Sequence, residues 1–404
     1  MRLTWALPPG WSVADSWGTG PEQTFSATSA ALGMLAAVGG PDAVVTRPLV
    51  GGAVGVGFLG DPPVDRAVVQ ERLERTLNAQ RRLFADDSPW YLVSLLGAGA
   101  CCGYGGTGLT HAFSAFLFDA HLTPRDLDRL FAHEMFHTWN GSLIHVAHTP
   151  ETPEGSQYWF SEGFTEFYAH RLLFRDGALT LADYALHLNQ VLDAYAANPA
   201  RGEPVETVVR RFWADEAVEK LPYQQGELLA LRYWAAARRQ GGTLDTVMVD
   251  LAAQARQQPE AGIPRSDLVA KLAVATGRDV EADLDRHVVR GEPLTLDPED
   301  LGPCFAWGPY PREVFDAGFD VDASLAAKRL VGVNPTGPAA AAGATEGAPL
   351  AGMSVTNGAE IVDATLAWFG ADGQPVRVTY RPARTVEAIG VVVRADDPGC
   401  VAWY

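Results

Sequence analysis

The sequence predicts an α+β protein in which a mainly helical middle is flanked by strand-rich segments. Three observations carry this. Residues 1–60 are rich in Gly, Ala and Val, with short extended runs such as AVVTRPLVGG and AVGVGFLG. The middle repeats apolar residues at helical spacing in one segment after another. Beyond Pro303 the texture changes to GPAAAAGATEGAPLAG, then to strand-like MSVTNGAEIVDATLAWF and QPVRVTY, with turn signals at Asn357-Gly358 and Asp372-Gly373. A chain of 404 residues exceeds one ordinary core. The divisions read as a β-rich lead-in over 1–60, a central domain over 61–302 and a β-rich domain over 303–404.

In chain order, Val64 to Phe84 forms an amphipathic helix, with Val69, Leu73, Leu77 and Phe84 on one face. WYLVSLLGAGA (90–100) reads as a buried strand and HAFSAFLFDA (111–120) as a second. The glycine-rich CCGYGGTGLT between them reads as a hairpin loop. Thr123 then caps a helix whose first residue is Pro124, with Asp126 completing a capping box, and this helix runs through LDRLFAHEMFHTWN. Further helices are expected over 160–175, 180–196, 223–240, 243–256 and 265–275.

With 31 basic and 49 acidic residues the net charge is −18, a field that repels nucleic acid and anionic lipid. Hydrophobic residues make up 47% and charged residues 20%, the composition of a folded globular protein. The cysteines at 101, 102, 304 and 400 form no C-x-x-C pair and read as reduced thiols of a cytoplasmic protein. The start, MRLTWALPPGWS, reaches Pro8, Pro9 and Gly10 before an apolar core of about 7 residues can form, so it fails as a signal peptide. No apolar stretch is long enough to span a membrane. Oligomeric state leaves no mark in the sequence.

H-E-x-x-H occurs at His133-Glu134-Met135-Phe136-His137, against a chance expectation of roughly 0.01. Residues four apart on a helix share a face, so both imidazoles can hold one ion while Glu134 reaches a water beside it. A catalytic zinc needs a third protein ligand and an open position, and Glu162 in YWFSEGFTEFYAH supplies the ligand. Zinc acidifies water and Glu134 takes the proton, so peptide hydrolysis needs no covalent intermediate. Glu166, one turn on, is placed to accept from the distal nitrogen of a ligating histidine. His145 and His148 are the alternative third ligands.

HEMFHTWNG, SEGFT and LPYQQGELLALRYW resemble the glycyl aminopeptidase family of gluzincin metallopeptidases. The resemblance implies a β-rich amino-terminal domain, a thermolysin-like catalytic domain and a PDZ-like domain, with one Zn2+ and a peptide substrate. It implies that Tyr223 hydrogen-bonds the tetrahedral oxyanion, although Gln225 stands where the family has lysine. The family pattern G-L-E-H appears as Gly108-Leu109-Thr110-His111 in the strand that lines the cleft, so Thr110 replaces the glutamate that would hold the substrate's α-ammonium group. LPPGW, which the family places near the end of its first domain, falls at Leu7 to Trp11, so most of that domain is expected to be missing. Aminopeptidase action is therefore the leading expectation. An endopeptidase or special-substrate hydrolase, or a relative that binds peptides without cutting them, stands as the alternative.

Overall fold

Short strands occupy the start of the chain: β1 (Arg2–Thr4), β2 (Ser12–Asp15), β3 (Gly18–Thr19) and β4 (Glu22–Thr24). Helix α1 (Ser29–Gly33) precedes β5 (Ala37–Gly40), β6 (Val44–Leu49) and β7 (Gly52–Gly60). Buried Asp15 ties this region together: its carboxylate accepts from Trp5 Nε1 and the Trp17 N–H, and its carbonyl accepts from Trp90 Nε1. The computed structural model describes the chain apart from residues 42, 98–102, 120–121, 151, 260, 357–360, 371 and 395–398. Its compact units are Met1–Phe305 with Val393–Tyr404, and Ala306–Val392.

Helix α2 (Arg66–Phe84) links β7 to β8 (Trp90–Gly97), and β9 (Tyr104–Leu109) and β10 (Ala112–Leu117) complete a sheet of order β6-β7-β8-β10-β9. The three inner strands are parallel and both edge strands antiparallel, with Val56 and Phe113 each opposite Val93. Val69, Leu73, Leu77 and Phe84 of α2 are buried, as the periodicity predicts.

The glycine-rich segment is a strand where a hairpin loop was expected. Glycine is needed there for packing: an added Cβ would stand 2.4 Å from the Phe113 ring at Gly106 and 2.9 Å from the Phe116 ring at Gly105. The loop proper is Thr110-His111, with His111 at φ 46° and Leu109 opposite Ala112. Cys101 and Cys102 lie outside the described residues.

Helix α3 (Pro124–Phe136) starts with the expected capping box, Thr123 accepting from the Asp126 N–H and Asp126 from the Thr123 N–H. Thr123→Ala should cost about 1 kcal/mol of stability, read from chemical denaturation. The helix ends at Phe136 and does not run on to Asn140 as expected; His137 is its cap, still close to helical at φ −60° and ψ −16°. Then follow α4 (Tyr158–Ser161), α5 (Gly163–Arg175), α6 (Leu181–Ala197), α7 (Val205–Arg211), α8 (Glu216–Arg239), α9 (Leu244–Gln257), α10 (Arg265–Thr276) and α11 (Val280–Leu284). The helix expected from residue 223 starts at Glu216, because Asp215 caps it by accepting from the Ala217 and Val218 N–H groups. Pro222 inside it forfeits one helical hydrogen bond.

The second unit pairs β11 (Phe305–Phe315) with a late strand and holds helices α12 (Val321–Ala327) and α13 (Pro338–Ala341). Strands β12 (Leu350–Ser354), β13 (Ala364–Phe369) and β14 (Pro375–Tyr380) form an antiparallel sheet, and β15 (Ala383–Val393) is the partner of β11. Leu330, Ala339, Leu366 and Trp368 form its core. Back in the first unit, α14 (Gly399–Trp403) precedes Tyr404, whose buried ring meets those of Phe174 and Tyr184. Cys304 and Cys400 are joined as a disulfide, which corrects their reading as reduced thiols. Their partner lies 96 residues away, a distance over which spacing rules carry no information. Among the described residues no helix is long and apolar enough to cross a membrane.

Candidate metal centre

The cap on α3 sets the phase of a helix whose apolar side, Leu127, Phe131 and Met135, is buried, and this turns His133 and His137 toward α5. Their Nε2 atoms lie 3.0 Å apart. Glu162 Oε2 completes a triangle, 3.5 Å from His133 Nε2 and 3.4 Å from His137 Nε2. Ligand bonds of about 2.0–2.1 Å in a tetrahedron give edges of roughly 3.3–3.4 Å, so the donor set fits a zinc ion. His137 Nδ1 lies 2.9 Å from the Asn140 carbonyl; donation there leaves the Nε2 lone pair for a metal.

Glu162 sits at the break between α4 and α5, where a continuous helix was expected. Two contacts hold the break. Asn140, fully buried, donates its amide to the carbonyls of Phe160 and Ser161 and to Thr165 Oγ1. Gly163 meets Gly226 of α8 so closely that a Cβ on Gly226 would stand 2.1 Å from the Trp159 carbonyl oxygen. Burial works against the Glu162 carboxylate, but hydrogen bonds from His133 and His137 outweigh it and hold its pKa well below the ordinary range.

Glu134 is half-buried, and burial raises its pKa with help from Glu162 and Glu166, against the two histidines. That shift favours a base able to take and return a proton. Tyr223 stacks on His133 with ring centroids 5.7 Å apart. Burial and the Glu162 charge raise its pKa, so the hydroxyl keeps its proton. Glu166 Oε1 lies 3.3 Å from His133 Nδ1, off the line of a well-formed hydrogen bond. The structure thus brings His133, Glu134, His137, Glu162, Glu166 and Tyr223 together.

Gly108 faces the same helix: a Cβ there would stand 3.0 Å from His137 Cβ, so β9 lies against the metal helix. Thr110 and His111 sit in the turn beyond. The Thr110 hydroxyl donates to the Ala31 carbonyl at 2.9 Å and its N–H to Met34, which commits this side chain to the amino-terminal segment. His145 contacts the Ser142 carbonyl and His148 is exposed; neither joins a ligand cluster among the described residues. Gln225 donates to the buried His287 carbonyl and so anchors α8. Sequence reasoning misses the clamping roles of Asn140 and of Gly163 with Gly226, although all three lie in the runs HEMFHTWNG, SEGFT and LPYQQGELLALRYW.

Residues 126–227 match the profile of the family described as M61 glycyl aminopeptidase. This segment holds both histidines, all three glutamates and Tyr223. None of the curated proteins matches the sequence. Among solved structures, an aminopeptidase N family protein from Idiomarina loihiensis is similar over 100% of this chain and 78% of its own, at 17% identity and a TM-score of 0.62. An M1 zinc metallopeptidase from Deinococcus radiodurans is similar over 74% of this chain and 64% of its own, at 18% identity and a TM-score of 0.49. The first of these likenesses shows that the matched segment sits in a fold shared with an aminopeptidase N family protein.

Proposed function

We propose that the chain hydrolyses peptides with one zinc ion held by His133, His137 and Glu162, and that it acts as an aminopeptidase. The observation that carries this is the triangle of ligand atoms, 3.0 to 3.5 Å on a side, beside Glu134. When bound, zinc acidifies a water and polarises the peptide carbonyl. Glu134 accepts the proton of the attacking water at its carboxylate and passes it to the departing amine. The Tyr223 hydroxyl donates to the oxygen that gains negative charge. Glu166 holds the His133 ring, and Gly108 on the edge strand gives an extended substrate backbone room to approach.

The Thr110 hydrogen bond to Ala31 supports a second reading, internal cleavage, because this turn presents no carboxylate to an amino terminus. Strands, two short helices and the segment LVGVNPTGPAAAAGATEGAPLAG support reading the carboxy-terminal unit as PDZ-like. The disulfide favours an oxidising compartment over the cytoplasm.

Metal analysis should find one zinc per chain, lost in His137→Ala. Mass analysis of digested peptides should show loss of single amino-terminal residues. Internal cuts would select the second reading, and zinc-loaded protein that cuts no peptide would sink both.

A further inference from the structure

Behind the metal centre lies a second group of titratable side chains, His170 on α5, His187 on α6 and Glu227 on α8, each more than nine-tenths buried. His187 Nε2 lies 2.6 Å from Glu227 Oε1. The His170 and His187 rings stack, centroids 3.3 Å apart and planes within 14°. Imidazole lone pairs lie in the ring plane, so parallel stacked rings do not aim at one ion. The 2.6 Å separation is that of a hydrogen bond and shorter than the spacing of two ligands around zinc. These residues make a hydrogen-bonded cluster and not a second metal site.

The cluster meets the metal centre at Glu166. His170 Nδ1 lies 3.0 Å from the Glu166 carbonyl oxygen, 3.4 Å from Glu166 Oε2 and 3.8 Å from Glu227 Oε1. The other Glu166 oxygen faces His133 Nδ1. Burial lowers the pKa of both His170 and His187 and raises that of Glu227. Glu166 thus lies between the cluster and His133.

We infer that His170, Glu227 and His187 are positioning residues that wedge the Glu166 carboxylate against His133 and thereby set how tightly zinc is held. The inference rests on the zinc site proposed above. A metal-ligating imidazole whose partner is fixed keeps its orientation, and loss of such outer partners typically weakens metal binding about 10–100-fold.

Competition with a chromophoric chelator measures zinc affinity without using turnover. His170→Phe fills the ring's volume and removes its nitrogens; it should weaken zinc at least about 10-fold. His170→Asn, whose amide nitrogen stands where Nδ1 does, should recover part of that loss. In a Glu166→Gln background His170→Phe should add no further loss. Glu227→Gln keeps its volume and a bond to His187, and serves as the second variant should His170→Phe not fold; it too should weaken zinc. Wild-type zinc affinity in a folded His170→Phe or Glu227→Gln protein would overturn the inference, as would an undiminished loss beside Glu166→Gln or a second zinc equivalent held by the cluster. Failure of the zinc site itself would show differently, as a wild-type chain that binds no zinc or a His137→Ala chain that binds it unchanged.

Discussion

Glu134→Gln is expected to keep its zinc and to lose roughly 10²–10⁴-fold in kcat. Gln fills the same half-buried space on α3 and leaves the triangle of His133, His137 and Glu162 untouched. What it removes is the atom proposed to take a proton from the attacking water. Burial raises the pKa of the Glu134 carboxyl, the direction that favours a proton acceptor able to hold the proton it takes. Strand β9, proposed to meet the substrate, is untouched, so KM should move far less than kcat. Stopped assays on purified variant, with metal content measured on the same sample, check both halves. Unchanged turnover with zinc present would remove Glu134 from the reaction.

Gly226→Ala is expected to be a severely damaging single methyl group in the helical core. Its Cβ would lie 2.1 Å from the Trp159 carbonyl oxygen and 2.8 Å from Gly163 Cα, all backbone, so α8 must part from α4 and α5. Overpacking of this kind costs about 3 kcal/mol, a fall in Tm of roughly 4–5 °C for a unit of this size. Glu162 precedes Gly163 directly and Tyr223 lies just before Gly226, so zinc affinity should fall with stability. Gly202→Ala, with nothing within 4 Å of an added Cβ, is the matched control and should leave Tm within about 1 °C. Calorimetry of the two variants decides the point.

The contrast between these glycines marks how far sequence alone reaches. Local chemistry is legible: the Thr123 cap, Pro124 and the i, i+4 histidines are all decided within one helix. Glu162 is legible as a ligand through its helical context and a family pattern, while the break that aims it is not, because Asn140 and Gly226 hold it from other parts of the chain. Strand β9 reads as a loop for a related reason. Its glycines answer to the rings of Phe113 and Phe116 and to His137, none of which marks the glycine run itself. His170, His187 and Glu227 come from three helices, and no spacing rule joins them. The cysteines show the same limit at its longest range.

The bond between Cys304 and Cys400 spans the whole of the second unit, Ala306–Val392. A protease cut anywhere inside that unit would therefore leave both fragments on one covalent thread. They would migrate as a single band without reductant and separate when it is added. The clip also closes a loop whose length corresponds to about 4–5 kcal/mol of denatured-state entropy. Damage to the second unit can thus be suffered without the Tyr404 anchor leaving the pocket of Phe174 and Tyr184.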